Sequence, residues 1–284
     1  MNSTPTRTAE GRVWLITGAS AGFGRAIAET ALATGDTVVL TARRVAALED
    51  LRARHPDRVA VLALDVTDHA RITEVVAEVV LWYGRVDVLV NNAGRGLVGA
   101  VEETTDRELR ELMDLHLFGP AALTRAVLPH MRRRNSGAIV QMSSMGGRFT
   151  FPGVGGYSAT KFALEGLSEA LAGEVAPFGI KVLIVEPGSF RTSFAGGSLD
   201  LAAPIEAYAD IVGPVREALP ASDGKQPGDP AKAAAAILRA LDAESTPLRL
   251  ALGDDAVDGV IAGAERNRAE LAAWEKVGRD VEID

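Results

Sequence analysis

The chain has no cysteine in its 284 residues, which excludes a disulfide framework and any thiolate metal site and fits a reducing cytoplasm. Histidine is scarce: His55, His69, His116 and His130 are the whole set, and none stands at ligand spacing from another, so no metal centre is expected. Positive charge is in deficit. Thirty Lys and Arg against 38 Asp and Glu leave a net charge of −8, which argues against a nucleic-acid partner and against an anionic membrane surface. The one basic run, Arg132-Arg133-Arg134, closes a helical pattern and reads as a solvated helix end that complements the dipole. There is no break in composition and no internal repeat, so 47% apolar residues point to one domain with one large core. Residues 1–10 are polar, include Pro5 and contain no apolar run; they are expected to be a disordered tail, neither leader nor anchor, before a single domain over 11–284.

What is present is a regular alternation. Apolar runs at 12–17, 37–42, 59–64, 86–90, 138–142, 180–185 and 248–252 read as strands. Helical patterns occupy 25–33, 45–54, 68–83, 106–134, 156–176, 231–243 and 254–277. This order predicts an α/β fold, a doubly wound parallel sheet of Rossmann type with helices on both faces.

The first strand runs into Gly18-Ala19-Ser20-Ala21-Gly22-Phe23-Gly24 and then a helix. These are the parts of a dinucleotide-binding turn, where glycines let the backbone approach a pyrophosphate resting on the helix N-terminus. The spacing Gly-x-x-x-Gly-x-Gly differs from the commoner Gly-x-Gly-x-x-Gly. The second strand ends at Ala42, where NAD-binding folds usually carry an acid for the ribose hydroxyls, and Arg43 and Arg44 follow. A guanidinium here can grip a 2′-phosphate that a carboxylate would repel, which favours NADP; the other reading is that both arginines start the next helix facing water. Strand four ends in Asn91-Asn92-Ala93-Gly94, a polar, glycine-closed end of the kind that meets a ligand at the carboxyl edge of a parallel sheet.

Strand five stops at Ser143-Ser144, and a glycine-rich connection leads to a helix bearing Tyr157-Ser158-Ala159-Thr160-Lys161. Four residues apart, the phenol and the ammonium share one helix face. At ~4 Å and an effective dielectric of ~20 the cation would stabilise a phenolate by roughly 4 kcal/mol, or about three pKa units. That would bring Tyr157 towards neutral pH as a proton donor and acceptor. The same pair also occurs on ordinary helix surfaces; the adjoining strand end and its hydroxyl are what favour chemistry.

In order, Thr17 to Gly24, Asp65-Val66, Asn91 to Gly94, Ser144 with Tyr157 to Lys161, and Pro187-Gly188 followed by Thr192 resemble the short-chain dehydrogenase/reductases. The resemblance covers roughly 12–192 and is nearest to the single-domain, NADP-type branch related to hydroxysteroid and ketone reductases. It implies that Tyr157 exchanges a proton with the substrate oxygen, that Lys161 lowers its pKa and binds the nicotinamide ribose, and that Ser144, thirteen residues before the tyrosine, hydrogen-bonds the same oxygen. It further implies that Gly18, Ser20, Gly22, Phe23 and Gly24 line the pyrophosphate and ribose and that Asp65 and Val66 hold the adenine. Asn92, Ala93 and Gly94 would pass along the cofactor, while Pro187, Gly188, Phe190 and Thr192 meet the nicotinamide amide. One position departs from the pattern. Where the family usually has an Asn supporting a water in the proton path, this chain has His116, read either as a relay or as a hydrogen-bonded structural residue.

The implied activity is NADP-dependent hydride transfer between nicotinamide and a small-molecule ketone/secondary alcohol pair. The alternatives are an NADP-binding redox sensor or structural protein without turnover, disfavoured by the intact Ser144, Tyr157 and Lys161, and an epimerase or dehydratase, disfavoured by the glycine spacing. The Gly- and Pro-punctuated stretch 189–230 reads as a substrate lid whose apolar residues either favour an apolar carbonyl substrate or only pack the lid down. In the family, helices corresponding to 106–134 and 156–176 pair across a two-fold axis, which implies a homodimer or homotetramer.

Overall fold

A computed structural model describes residue 9 and residues 11–283. Seven parallel strands form one sheet: β1 (Val13–Ile16), β2 (Thr37–Ala42), β3 (Val59–Ala63), β4 (Val88–Asn91), β6 (Gly137–Met142), β7 (Ile180–Pro187) and β9 (Arg249–Leu252), in the order β3-β2-β1-β4-β6-β7-β9. The expected tail lies outside the described residues except for Ala9, which packs against the core.

Every residue of β1, β2 and β4 is buried, as a sheet covered on both faces requires. The period of two then sorts the side chains. Trp14, Ile16, Val38 and Leu40 face α1 (Gly22–Ala33) and α8 (Pro230–Asp242), against Ile27, Leu32, Ile237 and Leu241. Val13, Leu15, Val39 and Leu89 face α3 (His69–Tyr83), α5 (Gly119–Arg134) and α6 (Gly155–Val175), against Val75, Val79, Leu123, Val127 and Leu171. From β1 the chain winds outward to β2 and β3, then returns to β4 on the other side. The ligand crevice of such a sheet lies at this reversal, outside the carboxyl ends of β1 and β4.

The single helix expected over 106–134 is three pieces. α4 (Asp106–Met113) starts at a capping box in which Thr105 and Glu108 satisfy each other's backbone N–H groups. A π-helical turn, Asp114–Phe118, follows, and then α5 begins at Gly119-Pro120. Pro120 has no N–H to give the carbonyl four residues back, so the ordinary ladder fails at His116 and the turn widens. Gly119 is packed so tightly under Val66 that an added Cβ would lie 2.5 Å from the Val66 carbonyl oxygen.

Two three-residue strands, β5 (Gly96–Val98) and β8 (Leu199–Leu201), pair beside the main sheet. They are too short to show as periodicity. β8 belongs to the stretch 189–230, which also carries α7 (Ala209–Ala221). The ends of this stretch are tied together, Arg191 N donating to Gly228 O at 2.9 Å and Gly228 N to Ser189 O at 3.1 Å. Its middle is anchored on the buried Glu103, which accepts from Ile205 N at 2.8 Å and from Arg216 Nη2 at 2.8 Å. A last helix, α9 (Asp254–Arg279), closes the chain. Among the described residues no helix is long and apolar enough to cross a membrane.

Candidate active site

At the carboxyl ends of β1 and β4 the main chain makes a close-packed cradle. Gly18 has φ +62°, and a Cβ there would lie 2.8 Å from Ala93 Cα. A Cβ on Gly24 would strike Asn92 Nδ2 at 2.5 Å and Gly18 O at 2.6 Å. Glycine is therefore required at both positions by close approach. Thr17 and Asn92 lock the two strand ends together. Thr17 Oγ1 accepts from Asn92 N (2.9 Å) and Ala93 N (3.1 Å), and Asn92 Nδ2 donates to Thr17 O (2.9 Å) and Gly18 O (3.1 Å). A glycine turn at a helix start, backed by a second strand end, matches what a dinucleotide pyrophosphate needs: bare backbone and a helix N-terminus.

The sequence-predicted cofactor residues gather here unevenly. Gly22, φ +54°, faces Thr192, and Phe23 packs its ring on Phe190 at 5.0 Å, so the segment after β7 lies on the glycine loop. Ser20 is exposed in the loop. Gly188 sits against Asp255, where any Cβ would collide. Asp65 is exposed at the end of β3, its Oδ1 holding the following turn by accepting from Thr67 N (3.0 Å) and Thr67 Oγ1 (2.8 Å), while Val66 is buried. Arg43 and Arg44 are exposed where β2 ends, and among the described residues neither side chain has an ion-pair or hydrogen-bond partner. Both guanidinium groups are available to an anion.

Along the same edge, β6 and α6 bring Ser144, Tyr157 and Lys161 together, the three residues expected to handle the proton. Ser144 ends the extended chain after β6 and caps the next turn, its Oγ accepting from Gly146 N at 3.0 Å. Its Oγ and the Tyr157 ring both border Gly146, each 3.4 Å from where a Cβ on that residue would stand. Lys161 is buried and donates to Met142 O at 2.9 Å, with its Nζ 5.7 Å from the centre of the Tyr157 ring. The ammonium is thus directed at a carbonyl on β6 rather than at the phenol. Burial consequently dominates, and the expected downward shift is reversed: Tyr157 is pushed up to about 12, partly opposed by the Ser144 hydroxyl. Burial brings Lys161 down to about 8, partly opposed by Glu165 one turn along α6.

Glu165 is itself buried, and burial raises its pKa, with the nearby Glu186 adding to the shift. Arg249 bridges the two acids, its Nε lying 2.9 Å from Glu165 and 3.5 Å from Glu186, while Arg148 reaches Glu186 at 2.8 Å. This network backs the lysine. It went unforeseen in the sequence, although Glu165 repeats the four-residue step from Tyr157 to Lys161 and so lies on their face.

His116 comes from the π-turn and is 1% exposed. Its Nε2 accepts from Arg95 N at 3.1 Å, so Nδ1 carries the proton and donates to Thr160 Oγ1 at 2.8 Å. Thr160 Oγ1 in turn donates to Tyr157 O at 2.7 Å. Burial first, and the Lys161 and Arg95 charges second, hold the imidazole well below its ordinary range. Both ring nitrogens are committed and the ring is neutral, which favours the structural reading of His116 over the relay. The ring instead meets Tyr157 edge-on at 5.7 Å, and the Phe194 ring also lies 5.7 Å from the phenol. Thr160 was visible only as a spacer in the Tyr157 to Lys161 motif; its role needs the π-turn beside it.

Comparison with known proteins places these observations. The family described as short chain dehydrogenase matches residues 12–200. A short-chain dehydrogenase from Streptomyces avermitilis is similar in structure with a TM-score of 0.92 and 62% identity, covering 96% of this chain and 99% of its own. "Oxidoreductase BOA17" of Botryotinia fuckeliana is 40% identical over 267 residues, 94% of this chain and 97% of that protein. A "3-ketodihydrosphingosine reductase" of Bacteroides thetaiotaomicron is 41% identical over 201 residues, 70% of this chain and 72% of its own length. On the family match, the relatives and the shared fold, the chain belongs to the short-chain dehydrogenase/reductase family and is an NAD(P)-dependent oxidoreductase acting on the CH–OH/C=O pair.

Proposed function

We propose that the protein interconverts an apolar ketone and its secondary alcohol with NADP(H), using Ser144, Tyr157 and Lys161. The observation that carries this reading is the phenol of Tyr157, standing with Ser144 beside Gly146 and backed by the buried Lys161 on the same sheet edge as the glycine cradle. The nicotinamide, when bound, supplies or takes up the hydride. Gly18, Gly22, Gly24, Asn92 and Ala93 hold the dinucleotide backbone, and Ser144 orients the substrate oxygen. Held protonated by burial, Tyr157 donates to that oxygen in reduction and must accept from it in oxidation. Lys161, brought to about 8, exchanges protons nearer to working pH and resupplies the phenol. His116 acts as a positioning residue that fixes Thr160 and the Tyr157 ring.

NADP is favoured over NAD by Ala42 in the acid's usual place and by the unpaired Arg43 after it. An apolar substrate is favoured by Phe194 against the phenol and by Leu199 with Phe194 over Gly96. The relative named 3-ketodihydrosphingosine reductase, by its name a reductase of a ketone, agrees with a carbonyl substrate. The reading includes one catalytic domain with 189–230 as its lid, a cytoplasmic location, and a homodimer or homotetramer formed through α5 and α6, where Phe118, Phe162 and Leu167 stand exposed. The test is a panel of apolar ketones with NADPH or NADH, followed by loss of the reduced-nicotinamide absorbance. NADPH consumption with at least one ketone is expected. Tight NADPH binding with no consumption across ketones and alcohols would replace the enzyme reading with a sensor, and faster turnover with NADH would overturn the cofactor choice.

A further inference from the structure

Glu165 takes no part in the proton steps proposed above, yet it is 4% exposed, and a carboxylate so deeply buried is costly unless its charge is matched. Glu165 and Glu169 stand on α6 and Glu186 on β7, while Arg249 comes from β9 and Arg148 from the turn that follows Ser144. Arg249 Nε lies 2.9 Å from Glu165 and 3.5 Å from Glu186, its Nη2 lies 2.7 Å from the exposed Glu169, and Arg148 Nη1 reaches Glu186 at 2.8 Å. Three acids thus share two guanidinium groups. One negative charge of the cluster is left over.

The excess lies on the inner side. Arg249 Nε donates to Glu165 Oε2, whereas Oε1 is buried and has no hydrogen-bond partner among the described residues; the same holds for Ser143 Oγ at the end of β6. Both side chains border Gly147, where a Cβ would lie 2.7 Å from Ser143 Oγ, 3.1 Å from Glu165 Cγ and 3.3 Å from the carbonyl carbon of Lys161. The cation that the cluster lacks stands one turn back on the same helix face. Lys161 is 7% exposed and donates to Met142 O at 2.9 Å, and among the described residues it makes no ion pair of its own. The other ionisable groups against it, Tyr157 on α6 and His116 on the π-turn, are held neutral by burial and supply no counter-charge. Glu165 does act on the lysine, opposing the loss of its proton that burial favours.

We propose that Glu165 is a positioning residue for the reaction: its carboxylate, pinned by Arg249, is the counter-charge of the Lys161 ammonium. Without that charge burial acts unopposed, and Lys161 gives up its proton at lower pH. The proposal rests on the proton role given to Lys161 above, and its first test needs no turnover.

Lysine occurs only at 161, 181, 225, 232 and 276, so after 13C labelling of lysine the Lys161 side chain can be followed by NMR against pH and assigned by its loss in K161M. In E165Q the amide oxygen still accepts from Arg249 but the charge is gone. The Lys161 titration is expected to fall by about one pH unit, and the alkaline limb of ketone reduction to move the same way. E169Q, which removes an exposed partner of the same arginine, is expected to move neither. A mere clasp between α6 and β9 would lower the melting temperature of E165Q and leave the titration in place. Should E165Q fail to fold, K161M/E165Q decides: with its charges balanced again it is expected to melt above K161M, whereas loss of a clasp would make it melt below. A Lys161 titration unmoved in E165Q, one moved equally by E169Q, or a double variant that melts below K161M overturns the proposal. Absence of turnover with every ketone would instead overturn the proposed function and leave the titration readable.

Discussion

The glycine cradle and the cluster of Ser144, Tyr157 and Lys161 lie along one sheet edge and are held by different means. At β1 and β4 backbone packs on backbone, and Thr17 and Asn92 close the joint with neutral hydrogen bonds. At β6 and α6 side chains hold side chains, and burial moves two ionisable groups away from their ordinary values in opposite directions. Recognition of a group as invariant as a pyrophosphate can be built from main chain, which does not titrate. Proton transfer needs ionisable groups, and their behaviour depends on how much water the surrounding elements exclude.

Three substitutions break or sharpen this contrast. The largest effect is expected from Tyr157→Phe, which keeps the ring contacts with His116 and Phe194 but removes the proton. Turnover should fall by about 10² to 10⁴ while the cofactor dissociation constant, measured by fluorescence titration, stays within about twofold. A comparable loss in binding would mean that the two regions are one unit.

Arg43→Ala acts only at the cradle's outer end. It should weaken NADPH by roughly 1.5 to 3 kcal/mol, the worth of a charge-assisted hydrogen bond, and leave NADH nearly untouched. Equal weakening of both cofactors would remove Arg43 from phosphate recognition.

The smallest effect is expected from His116→Asn. A lowered imidazole pKa means that the ring is already neutral above its ordinary range and stays neutral for some distance below it, so it contributes no ionisation to the acid limb of the oxidation rate. The acid limb should therefore be unchanged and rates within about twofold, since an amide can still serve both Thr160 and Arg95 N. A shifted limb would restore the relay reading.

Much of this was legible because it depends on local pattern. The strands appear as apolar runs since a sheet buried on both faces leaves no polar positions, and β1, β2 and β4 are buried throughout. The Gly18 to Gly24 turn, Asn92 and the Tyr157 to Lys161 step are visible as motifs because each chemistry needs those residue types at that spacing. The break in the long helix was less visible: Gly119-Pro120 is a recognisable signal, but its product, a π-turn that presents His116 to Thr160, depends on α6 lying alongside. β5 and β8, at three residues each, carry no period to read.

The order of elements, the glycine turn after β1 and the Tyr157 to Lys161 step on one helix follow from the linear chain, because they rest on spacing and residue type. The direction of the Tyr157 shift, the neutrality of His116 and the bond from Lys161 to Met142 O do not. Each depends on which elements converge on the group and how completely they exclude water, and desolvation, unlike helical spacing, is a property of the assembled neighbours.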